Sequence, residues 1–186
     1  MDMSQNKEAM GQNRGFEETL ALVKTDLSKD GKTLDLTAAY LKEYGAKDIA
    51  NMDFLENLQT LELGTNLMGP KGAKHIARSK CLINLKSLNL FYNNIGNEGV
   101  QYLAVSDNLL SLSSLTLSDN SITDEGAKYF AKYLPLFTHL VRLDMRLNKI
   151  KDEGKNALRE AAKMVELKQL LLDKVEGFQV KTSGHL

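Results

Sequence analysis

Residues 85–103 read LKSLNLFYNNIGNEGVQYL, and 27 positions later residues 112–130 read LSSLTLSDNSITDEGAKYF. A spelling that returns at a fixed period limits the fold more than any other property of this chain. Each copy is a small unit that cannot bury its own apolar face, so it must stack on its neighbours. Rows of 27 or 28 residues begin at Gly31, Leu58, Leu85, Leu112, Leu140 and Leu167. One column down these rows holds Leu34, Leu61, Leu88, Leu115, Leu143 and Leu170; a second, two places on, holds Leu36, Leu63, Leu90, Leu117, Met145 and Leu172. A period of two predicts a strand with these residues on one side.

Five residues past the first column stand Ala39, Asn66, Asn93, Asn120, Asn148 and Val175, and two further on Leu41, Met68, Ile95, Ile122 and Ile150. An asparagine leaving a strand can satisfy the backbone of a sharp buried corner through both its donors and its acceptor, which predicts a stacked asparagine ladder. The second half of each row changes period. Gly45, Gly72, Gly99, Gly126 and Gly154 are followed four residues on by Ile49, Ile76, Leu103, Phe130 and Leu158. Ala46, Ala73, Val100 and Ala127 are likewise followed by Ala50, Ala77, Ala104 and Ala131. This is the stripe of a helix with a small-residue inner face. Asn97, Asp124 and Asp152 stand two residues before the glycines, where a helix N-cap is expected, and Gly69-Pro70 opens its row equivalently. A last column, Leu55, Leu82, Leu109, Leu136 and Met164, leads back to the next strand.

The spelling Leu-x-x-Leu-x-Leu-x-x-Asn followed by a helical half resembles a leucine-rich repeat. The "GA…LA" helices and the row length resemble the ribonuclease-inhibitor-like subclass. The resemblance spans about Gly31 to Leu172 and implies an α/β solenoid of about five repeats plus caps, with a curved parallel sheet on the concave side and helices on the convex side. Residues 31–172 are read as that solenoid, 1–30 as a disordered start followed by a capping helix, and 173–186 as a C-terminal cap and tail. The helix is expected from Phe16, Leu20, Val23 and Leu27 at helical spacing, ending near Gly31. Val175, Phe178 and Val180 are expected to close the last strand. Ala39 and Val175, which replace asparagine in the end rows, mark those rows as caps, and one extra residue falls between Leu136 and Leu140.

The composition restricts what such a chain does. Its 24 basic and 24 acidic side chains cancel, leaving no overall field to draw it onto nucleic acid or an anionic membrane. Cys81 is the single cysteine, so no intramolecular disulfide forms, and no apolar run approaches a signal or membrane-spanning segment. A cytoplasmic protein is expected. His75, His139, His185 and Cys81 are scattered among a helix, a connection and the tail, so the rows bring no nucleophile and base together and no metal-ligand spacing exists. The glycines fall one per row and form no phosphate cradle. No catalysis, cofactor, metal or small-molecule substrate is expected.

Alternation places the side chains between the strand leucines on the concave surface. Most are small and polar, and two features depart from that background. Phe91 and Tyr92 put two aromatics at a strand exit, one on the sheet and one in the turn. They are either anchors for a partner or cover for their neighbours. Arg142, Asp144 and Arg146 alternate along one strand face, either to read an acidic partner or as a self-satisfied cluster. Asp119 and Glu62 extend the same polar surface. On the convex side Lys71, Lys74, Arg78, Lys80 and Lys86 form a basic run without interleaved aromatics, expected to be a solvated face.

The resemblance implies a non-catalytic protein-recognition module that holds a protein partner through Phe91, Tyr92, Asp119, Arg142, Asp144 and Arg146. Stand-alone repeats of this kind also resemble effectors that intracellular bacteria deliver into host cells. Two other readings are an enzyme regulator such as a GTPase-activating protein, offering Arg142 or Arg146, and weak self-association through Leu171 and Phe178 at the end of the stack.

Overall fold

Each row spends only three residues as strand before its chain turns, because the leucine pair buries one side and the asparagine corner follows at once. The computed structural model describes residues 14–165 and 167–173. After helix α1 (Phe16–Asp26) come β1 (Thr33–Asp35), α2 (Lys42–Ile49), β2 (Thr60–Glu62), α3 (Gly69–Ala77), β3 (Ser87–Asn89), α4 (Gly96–Ala104), β4 (Ser114–Thr116), α5 (Asp124–Tyr133), β5 (Arg142–Asp144), α6 (Asp152–Ala162) and β6 (Gln169–Leu171). All six strands are parallel and lie in chain order. Their register sets Leu34, Leu61, Leu88, Leu115, Leu143 and Leu170 side by side. Strands and helices alternate as one α/β leucine-rich repeat solenoid. The disordered start expected before residue 14 and the closing role of Val175, Phe178 and Val180 lie outside the described residues.

Both leucine columns are buried in the first five rows, and in the sixth Leu170 and Leu172 are partly buried against the same core. Burying each such side chain contributes about 2 kcal/mol. The asparagine ladder forms as expected. Asn93 Oδ1 accepts from the backbone N–H groups of Asn66 and Met68, at 3.1 and 3.3 Å, and its Nδ2 donates to Leu63 O and Phe91 O. Asn120 does the same for Asn93 and Ile95, and Asn148 for Asn120 and Ile122. A second inter-row contact at the helix C-terminal ends was not anticipated: the Ser79 hydroxyl donates to Ala50 O and that of Ser106 to Ala77 O.

The glycine column has a steric cause. A Cβ on Gly72 would stand 2.5 Å from Met68 Cβ, and one on Gly99 would stand 2.7 Å from Ile95 Cβ and 3.2 Å from Ala73 Cβ. The apolar residue four places earlier, with the preceding helix, fills the space a side chain would need. Next to it the alanine column lets neighbouring helices approach. In α6 that position is Lys155, also buried, whose aliphatic stem replaces the alanine.

Four expectations need correction. Leu136 is 55% exposed, and Phe137, fully buried, takes its place in the last column, so the extra residue lies before position 137. Met164 is exposed as well, with Val165 partly buried instead. In α1 Phe16 is exposed, while Thr19, whose hydroxyl donates to Gly15 O, and Val23 are the buried residues. That helix ends at Asp26, where Leu27 turns extended and bridges to Leu34; Gly31, with φ +69°, serves the turn that follows. Finally, Asn97 and Asp124 do not cap their own helices. Asn97 Oδ1 accepts from Thr123 N, and Asp124 Oδ1 from Lys151 N and Gly154 N, so each secures the start of the next row's helix.

Candidate functional site

The polar side of the sheet is built by the residues that flank each buried strand leucine. Along β1 to β5 the middle residue of this surface is Asp35, Glu62, Asn89, Thr116 and Asp144. Asp35, Asn89 and Asp144 each accept from the backbone N–H two residues on, at 2.9 to 3.2 Å, which fixes the strand exit. Neighbouring rows then join through side chains: Asn89 Nδ2 donates to Glu62 Oε2 at 2.6 Å.

Asp144 is the exception on this surface, being only 2% exposed. Arg142 Nη2 donates to its Oδ2 at 3.2 Å, and Arg146 grips it with Nη2 at 2.6 Å and Nε at 3.0 Å. Burial pushes the carboxyl's pKa up, but the hydrogen bonds from the side chain and backbone of Arg146, with the charges of Arg146 and Arg142, outweigh it and hold the group below its ordinary value. Asp144 thus lies beneath two guanidinium groups whose outer N–H donors remain half-exposed. Phe91, two strands away, lines the same hollow of about 430 Å³ together with Asn89, Thr116, Ser118, Leu147 and Asp173. A Cβ placed on Gly64 would lie 3.8 Å from Phe91 Cβ and Cδ1, so the ring lies beside that glycine.

Tyr92 leaves this surface. Its ring is 5.9 Å from that of Phe91, but it lines a second hollow, of about 290 Å³, with Leu67, Asn94, Asp119 and Ser121. The six residues singled out from the sequence therefore divide into two hollows: Phe91, Arg142, Asp144 and Arg146 in one, Tyr92 and Asp119 in the other. Glu62 is engaged by Asn89 and lines neither. Leu67 and Leu147 were missed. Both are exposed, and both sit in the turn columns at positions where φ is positive, a property that hydrophobic patterning does not display.

On the convex face Lys71, Arg78, Lys80 and Lys86 are exposed and Lys74 is half-buried. The ring of Tyr102, on α4, lies beneath Lys74 Nζ at 5.2 Å and Arg78 Cζ at 5.8 Å, so the next helix supplies the aromatic that the basic run lacks in sequence. Lys71 pairs with Glu43 at 3.8 Å. His75, Cys81 and Asp53 line one hollow on this face. The thiol donates to Asp53 Oδ1 at 3.3 Å, and burial followed by this bond pushes its pKa up, the reverse of what a nucleophile requires. Burial, first of all, lowers that of His75. Among the described residues no helix is long and apolar enough to cross a membrane.

The comparisons with known proteins agree with this architecture. A family model described as Leucine Rich repeat matches residues 81–104, 108–131 and 138–158. A solved structure, Leiomodin-1 Actin-Binding Site 2 (ABS2), is similar with 15% identity and a TM-score of 0.50, over 88% of this chain and 82% of that one. At that identity the likeness is one of fold. No curated protein matches. The matched rows are leucine-rich repeats, and the chain folds as a leucine-rich repeat solenoid.

Proposed function

We propose that this leucine-rich repeat protein, with repeats of the ribonuclease-inhibitor-like kind, is a non-catalytic recognition module that holds a protein partner on the concave sheet and strand-exit turns. The observation that carries the reading is the hollow in which Phe91 faces the Arg142–Asp144–Arg146 cluster across two strands. An aromatic anchor beside preorganised guanidinium donors is the composition that concentrates binding energy at protein interfaces. Because Asp144 fixes both arginines before a partner arrives, their ordering entropy is already spent, and their outer donors suit a carboxylate or backbone carbonyl of the partner.

The same geometry favours recognition over a GTPase-activating role. An arginine supplied to another protein's active site has to extend freely, whereas Arg142 and Arg146 are both bonded to a buried carboxylate.

Affinity capture with the wild type beside a Phe91→Ala, Arg146→Ala double variant, both checked by circular dichroism, tests the reading. Proteins retained by the wild type alone place recognition on the concave side, and equal retention by both rejects it. Actin, named for the structural neighbour, is a direct first partner to assay by co-sedimentation.

A further inference from the structure

The hollow beside the concave one has a distinct chemistry. Its five lining residues, Leu67, Tyr92, Asn94, Asp119 and Ser121, all occupy left-handed backbone conformations, with φ between 51° and 58°. Asparagine and aspartate tolerate that region; serine, leucine and tyrosine adopt it at a cost that glycine or asparagine would avoid. Inter-row backbone bonds hold this turn, as where Tyr92 N donates to Ser118 O at 3.1 Å, while the side chains stay largely outside the core: Leu67 is 52% and Tyr92 47% exposed. Two apolar side chains held at the rim of one hollow, rather than packed into the core, are available to a partner.

Asp119 supplies the charge. Its carboxylate is half-buried and has no hydrogen-bond or ion-pair partner among the described residues, and no basic residue lines the hollow. Asp144, by contrast, is neutralised by two arginines. Tyr92 presents its ring to the same space. An acid, an aromatic ring and a leucine on one fixed backbone are complementary to a cation carried on an aliphatic stem.

We infer that this hollow receives one basic side chain, lysine or arginine, from the protein partner, with its stem on Leu67 and its charge between Asp119 and the Tyr92 ring. The inference rests on the recognition reading above and gives it polarity: the concave hollow offers cationic donors, and its neighbour an anionic acceptor.

The test needs no partner. The 15N-labelled full chain is titrated with N-acetyl-arginine amide and, as an uncharged isostere, N-acetyl-citrulline amide. Saturable amide shifts at Tyr92, Asn94, Asp119 and Ser121 with the arginine compound alone are expected. Asp119→Asn should weaken that binding by about tenfold or more, as loss of a charged partner does. Asparagine accepts the left-handed backbone at both 119 and 92, so Tyr92→Asn serves as an independent variant that should also lose the response. Equal shifts with citrulline, no saturable shift at these residues, or full binding by Asp119→Asn overturns the inference. Because Phe91 and Arg146 are untouched, its failure leaves the capture result above standing, and failure of that capture leaves this titration interpretable.

Discussion

The first three rows and the two that follow start their helices in opposite ways. In the N-terminal rows Lys42, Gly69 and Gly96 are left-handed and donate their backbone N–H forward, to the carbonyls of Asn66, Asn93 and Asn120 in the next row. In the later rows the equivalent residues, Thr123 and Lys151, are extended and donate backward, to the side chains of Asn97 and Asp124 in the row before. The reason is one column of sequence. It reads Glu43, Pro70, Asn97, Asp124, and only the last two are short polar acceptors able to reach the following helix. One fold thus tolerates two capping chemistries, provided that the ladder common to both is intact.

That dependence can be broken outright. Asn120→Ala removes the acceptor of two buried N–H groups, those of Asn93 and Ile95, and the donor to Leu90 O and Ser118 O. At 1–3 kcal/mol per buried polar group left unpaired, the loss should be about 4 kcal/mol in urea denaturation. It should be similar for Asn93→Ala, because the ladder does not distinguish the two regions.

The capping difference itself predicts a reciprocal pair of smaller effects. Asp124→Ala should cost about 1–2 kcal/mol by freeing the N–H groups of Lys151 and Gly154, whereas Pro70→Ala in the N-terminal region should cost far less. Conversely Gly96→Ala, where a Cβ meets nothing within 4 Å but φ is +60°, should cost about 1 kcal/mol from conformation alone, while Thr123→Ala removes no left-handed glycine. Equal losses in the two regions would erase the distinction.

The smallest effect expected is pH-dependent and confined to the C-terminal region. Asp144 has a folded pKa below its ordinary value, so its ionised form favours folding; that stability is complete above the unfolded pKa of about 4 and is lost as the pH falls through the folded one. Wild type should therefore lose more stability between pH 6 and pH 3 than Asp144→Asn, measured by urea midpoint. Equal losses would show that the two arginines do not hold the charge as described.

Much of this was legible in the sequence where periodicity fixes a position: the strand leucines, the ladder and the glycine column all fall where the rows put them. What was misread depends on contacts between rows. Asn97 and Asp124 look like caps of their own helices because they sit at the right spacing, but their oxygens are directed at the next row. Leu136 and Phe137 are equally apolar, and only the buried slot decides between them. Asp144 reads as one more concave polar residue, and its burial comes from the two arginines folded over it. The separation of Phe91 from Tyr92 into two hollows follows from a backbone reversal at Tyr92, where φ is +51°.

Every ladder asparagine serves the row before its own, so a turn is finished only once its successor is in place. Shortening the stack from the N-terminal side would leave the first retained asparagine without the turn it served, but every remaining turn would keep its acceptor. Shortening it from the other side would leave the last remaining corner without its acceptor. The solenoid is thus ordered like overlapping shingles, each course fastened by the next, and its tolerance to truncation should differ between its two ends.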